Sequence, residues 1–93
     1  MVNQDSVLSP NPNVIGRIVN DEAVLVIPEM GDVKVLNEVG SRIWELVDGS
    51  RSIRDISAVI CQEFEVDQNI AEEDTLEFVN DILAKGLINI ELE

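Results

Sequence analysis

Apolar and polar residues change their period part-way along the chain, from short alternating runs to long helical stripes. Two β-branched runs, Val14 to Val19 and Glu22 to Ile27, flank Asn20-Asp21, a dipeptide suited to a two-residue hairpin. Pro28-Glu29-Met30-Gly31 is turn chemistry, after which Asp32-Val33-Lys34-Val35-Leu36 alternates as a half-buried strand does. Together the runs predict an antiparallel meander with the unbroken stretch Ala23-Val24-Leu25-Val26-Ile27 at its centre. The third strand then keeps one edge with unpaired amides and carbonyls.

Beyond Leu36 the spacing turns helical. Asn37 caps a helix in which Val39, Ile43, Leu46 and Val47 recur at i, i+4, i+7 and i+8, and Asp48-Gly49 ends it. Ser52, three residues ahead of Asp55, reads as a capping box opening a second helix striped by Ile53, Ile56, Val59, Ile60 and Phe64. Two helices joined by so short a link must turn a corner. A third helix is predicted from Asn69, with Ile70, Leu76, Phe78, Val79, Ile82 and Leu83 apolar and acidic residues opposite, until Lys85-Gly86 stops it.

The tail from Leu87 to Glu93 alternates as a short fourth strand or an extended segment against the core. Residues 1–13 are polar, carry Pro10 and Pro12 and lack periodicity, so a flexible N-terminal segment is expected there. Residues 14–93 are expected to form one α+β domain, a three-stranded antiparallel β-meander followed by a three-helix bundle in a winged-helix-like arrangement.

Composition narrows the chemistry. With 45% hydrophobic residues but only Trp44, Phe64 and Phe78 aromatic, the core must be aliphatic. Histidine is absent, which removes the commonest metal ligand and the commonest general base, so no catalytic residue, metal or cofactor is expected. Cys61, the single cysteine, cannot form an internal disulfide and reads as a packed thiol. No apolar stretch is long enough to span a membrane and no signal peptide is evident, so a cytoplasmic protein without a membrane partner is expected. Net charge is -13, and between Arg54 and Lys85 there is no basic residue, while Glu63, Glu65, Asp67, Glu72, Glu73, Asp74, Glu77 and Asp81 are acidic. Duplex binding draws its affinity from lysines and arginines on phosphates, so a DNA-binding winged helix and nucleic-acid partners in general are disfavoured.

In order along the chain, Val24-Leu25-Val26-Ile27-Pro28-Glu29, Val33, Leu36-Asn37, Ile43-Trp44-Glu45-Leu46, Asp48-Gly49, Ser52-Ile53, Ile56, Asp74, Phe78 and Gly86-Leu87-Ile88 resemble the PqqD family. Its founding member is protein D of pyrroloquinoline quinone biosynthesis. The resemblance covers residues 14 to 90. It implies a non-catalytic, peptide-binding chaperone that recognises the leader segment of a ribosomally made precursor by strand addition. The precursor is then presented to a maturation enzyme, a radical S-adenosylmethionine enzyme, a cyclase or a protease. Carried onto this sequence, the resemblance places the peptide along Asp32, Val33, Lys34, Val35 and Leu36, faced by Asp74, Thr75, Phe78, Val79, Ile82 and Leu83 of the third helix. Lys34 stands on that edge as a partner for a leader carboxylate or a guard against aggregation. The competing expectation is an interaction subunit of a larger complex that uses the same edge for another partner.

Overall fold

In the computed structural model, which describes residues 2–27 and 31–91, the chain forms β1 (Val7–Pro10), β2 (Ile15–Val19), β3 (Glu22–Ile27), β4 (Asp32–Val35), α1 (Glu38–Leu46), α2 (Ile53–Glu63), α3 (Gln68–Ala84) and β5 (Ile88–Glu91). Pro28, Glu29 and Met30 of the expected turn lie outside the described residues.

Asn20 and Asp21 both have positive φ, 51° and 66°, the geometry that matches the right-handed twist of a two-residue hairpin. They set the antiparallel register of β2 against β3, with Arg17 opposite Val24. β4 pairs on the other side of β3, with Lys34 opposite Leu25, so the order β2-β3-β4 is the expected meander. Side chains alternate across the sheet. Ala23 and Leu25 point into the core and have no exposed surface, whereas Val33 and Val35 are 62% and 60% exposed on the opposite face.

The sheet's inner face packs on α1 and shares one core with all three helices, whose buried residues include Ile43 of α1, Ile53, Ile56 and Ile60 of α2, and Val79 and Ile82 of α3. Ser41 fastens α1 to the sheet. Its buried hydroxyl accepts from the Ala23 N–H at 2.6 Å and donates to the Asn37 carbonyl at 2.7 Å. At the corner between α1 and α2, one Asp48 carboxylate oxygen accepts from the N–H groups of Ser50 and Arg51, at 3.0 and 3.1 Å. Those backbone donors hold the Asp48 carboxyl below its usual value. Gly49 takes φ +85°, a left-handed value that favours glycine, and its N–H bonds to Leu8 O. Ser52 and Asp55 form the expected capping box.

Part of the segment expected to be flexible is ordered. Residues 7–10 form β1, which pairs antiparallel with β5, and Leu8 is wholly buried. Just upstream, Ser6 O and Gln4 O accept from the N–H groups of Ile53 and Arg54, the first two residues of α2. Those donors have no partner within a helix, so the N-terminal segment satisfies groups that the cap alone leaves over. Within the tail, Ile88–Glu91 form a strand whose partner is β1 rather than the meander, and residues 92 and 93 lie outside the described residues.

Candidate functional site

β4 ends the meander, and among the described residues no strand pairs with its outer edge. The Leu36 N–H donates to Ala23 O at 2.8 Å, so this position bonds inward. Alternate residues of an antiparallel strand aim their backbone groups to opposite sides. Lys34 therefore also bonds towards β3, and Val33 and Val35 offer their N–H and C=O to the open edge.

An open groove of about 640 Å³ lies near this edge, where Lys34 of β4 reaches Asp81 on its rim. One wall is the start of α1, with Asn37, Val39, Gly40 and Ile43, and the other is α3, with Asp74, Glu77, Phe78 and Asp81. The α3 residues recur at i, i+3, i+4 and i+7, a single helical face. Asn37 caps α1 by accepting from the Gly40 N–H at 2.8 Å. The Phe78 ring reaches across to α1 because Gly40 has no side chain: a Cβ there would stand 3.0 Å from Phe78 Cε1. The floor is thus apolar and the α3 rim is acidic.

Lys34 crosses from β4 to α3, with its Nζ 3.6 Å from an Asp81 carboxylate oxygen. Lys85 bonds the same carboxylate at 3.1 Å. The Asp81 carboxyl is held below its usual value, chiefly by the hydrogen bond from Lys85, with Lys34 adding a smaller attraction. Among the described residues Asp74 and Glu77 have no such cation.

The residues named from the sequence divide into three groups. Asp32, Val33, Lys34 and Val35 make the open strand, and Leu36 continues it while its side chain is buried in the core at 3% exposure. Asp74 and Phe78 line the groove. Thr75, Val79 and Ile82 do not: each is fully buried on the α3 face that packs into the core, so they have no surface to offer an incoming chain. Leu83 is half-buried against the core and lies outside the groove lining. Asn37, Val39, Gly40, Ile43, Glu77 and Asp81 were not singled out as site residues in the sequence. For Glu77 and Asp81 the signal was the i, i+3, i+4, i+7 recurrence of Asp74, Glu77, Phe78 and Asp81, which mixes acid and aromatic and so has no hydrophobic period. No cluster of metal-ligating side chains occurs among the described residues, and none of their helices is long and apolar enough to cross a membrane.

The profile of the family described as coenzyme PQQ synthesis protein D, PqqD, matches residues 22–88. The chain belongs to the PqqD family. This PqqD-family chain superposes on TbiB1, solved in complex with the TbiA(beta) leader peptide, with a TM-score of 0.82 and 29% identity over 91% of this chain and 99% of that one. A lasso peptide synthetase B1 complexed with its leader peptide gives a TM-score of 0.79 at 21% identity, covering 88% of this chain and 96% of that one. The PqqD truncation of Methylobacterium extorquens PqqCD, described as a stand-alone recognition element for ribosomally synthesised and post-translationally modified peptides, also gives 0.79, at 22% identity over 96% and 95% of the two chains. A comparison with curated protein sequences gives no match. The α+β order expected from the sequence, a three-stranded meander, three helices and a short C-terminal strand, is found, with β1 added ahead of it.

Proposed function

We propose that this PqqD-family chain binds the leader segment of a ribosomally made precursor peptide, without catalysing a reaction, and presents the precursor to a maturation enzyme. The open β4 edge beside the groove carries this reading. An extended peptide added there would satisfy the outward groups of Val33 and Val35 while its alternate side chains entered the groove between α1 and α3. The fold supports it too, since similar chains at comparable coverage were solved with leader peptides bound.

Each backbone hydrogen bond of such an added strand contributes modestly, on the order of 1 kcal/mol, because water already serves the free edge. Selectivity then rests on Phe78 and Val39, the apolar groove side chains that keep exposed surface, and on the acidic residues around them. The chain acts without metal or organic cofactor, in the cytoplasm where precursors are made. Its second partner is a radical S-adenosylmethionine enzyme, a cyclase or a protease.

The test uses isotopically labelled protein titrated with a synthetic leader from the short precursor encoded beside its own coding sequence. Amide shifts are expected on residues 32–36, 37–43 and 74–81. Shifts confined to the corner at residues 48–54, or no binding, would replace leader recognition with a general interaction subunit. Mixing the protein with the full precursor should leave the precursor's mass unchanged; a new mass would refute the non-catalytic assignment.

A further inference from the structure

The groove beside β4 has an uneven charge. Its floor is built from Val39, Ile43 and Phe78, but its α3 rim carries Asp74, Glu77 and Asp81 and no base. Asp81 is served by Lys34 and Lys85, whereas Asp74 and Glu77 have no cation within salt-bridge distance among the described residues. The acidic side chains do not make the site; the open edge and the apolar floor do. They decide what chemistry an occupant must bring.

An added strand turns every second side chain towards α3, roughly 6.7 Å apart. Asp74 and Glu77 lie three residues apart, roughly 4.5 Å along the helix axis, close enough for one long basic side chain to reach both. A carboxylate placed there would meet two others in a surface field set by a net charge of -13. We propose that the docking segment alternates apolar and cationic residues on its groove-facing side, with Asp74 and Glu77 reading a lysine or arginine next to an apolar anchor on Phe78. This rests on the strand-addition reading above and adds the ligand's chemistry to it. Asp74 and Glu77 are then specificity-determining residues, and Asp81, already neutralised, contributes little.

The test is selection of a displayed random 15-residue peptide library on the folded protein. It is repeated on the D74N/E77Q variant, whose exposed substitutions leave the core untouched. The enriched peptides are expected to carry Lys or Arg two residues from Leu, Ile, Val or Phe. A synthetic copy should bind the variant about two- to tenfold more weakly, as expected for one or two exposed ion pairs. Its affinity for the parent should fall between 50 mM and 500 mM salt, and its affinity for the variant should respond less. Enrichment without a basic bias, or a basic bias unchanged in D74N/E77Q, overturns the charge proposal and leaves strand addition standing, provided the selected peptides shift the Val33 and Val35 amides. Enriched peptides that leave those amides unshifted, or no enrichment at all, overturn the edge reading and the charge proposal together.

Discussion

Phe78 and Gly40 touch across the groove so closely that a methyl group on Gly40 would come within 3.0 Å of the Phe78 ring. The same methyl would stand 3.2 Å from Asn37 Oδ1, the atom that caps α1. Gly40→Ala improves helix propensity by about 1 kcal/mol but meets an overpacking cost of about 1–3 kcal/mol. The net expectation is a small loss of stability, larger for Gly40→Val, with the ring displaced into the groove. Leader affinity should therefore fall more than the denaturation midpoint does. A Gly40→Ala variant with unchanged affinity would remove the α1–α3 groove from the binding site.

The two faces of β4 predict different fates for proline. Val33→Pro removes an N–H that points to the open edge, so the sheet should persist while strand addition is lost. Lys34→Pro removes an N–H bonded to β3, leaves the facing carbonyl unpaired and should destabilise the fold by about 1–3 kcal/mol. Circular dichroism and peptide titration on the two variants separate these outcomes. Equal loss of fold in both would show that the edge assignment of Val33 is wrong.

Thr75 is fully buried on α3, and its hydroxyl has no hydrogen-bond partner among the described residues. An unsatisfied buried hydroxyl costs about 1–3 kcal/mol, and valine has the same shape without it. Thr75→Val is therefore expected to raise stability by about 1 kcal/mol, seen as a higher urea midpoint at unchanged slope. Leader binding should be unaltered because the residue does not reach the groove.

Deleting residues 2–10 tests the ordered N-terminal segment. It removes Leu8 from the core, unpairs β5 and returns the Ile53 and Arg54 N–H groups to solvent. Loss of one fully buried leucine and several hydrogen bonds amounts to about 3 kcal/mol or more. Hydrogen exchange at Ile53 and Arg54 should accelerate, and a midpoint equal to that of the intact chain would refute the role given to β1.

Most of the helical part was legible in the sequence because each boundary carries its own local chemistry: Asn37, the Ser52–Asp55 box, Gly49 and the Lys85-Gly86 stop. The hairpin was legible for the same reason, through Asn20-Asp21. β1 was not, since its order comes from backbone bonds to β5 and α2 and from a single leucine, none of which leaves a periodic trace. On α3 the family resemblance placed Val79 and Ile82 on the facing wall, but both are core residues. Asp74 and Phe78, also named from the sequence, line the groove together with Glu77 and Asp81, and their place there depends on where α1 lies, a fact of packing rather than pattern. Lys34 reads as a free charge in the sequence, and only the fold brings it to Asp81.

Val7 and Glu91 are register partners in the pairing of β1 with β5. Such partners lie about 4.5–5.5 Å apart, so the start of β1 and the end of β5 lie side by side, with the first residues of the chain continuing from there onto α2. A unit with neighbouring ends can be spliced into a surface loop of another protein, or rejoined by a short bridge and opened at a new point, without disturbing its interior. β4 takes no part in that junction. A host enzyme carrying the domain as an insert would thus gain a ready-made receptor strand, with the tether and the reading edge kept on separate parts of the chain.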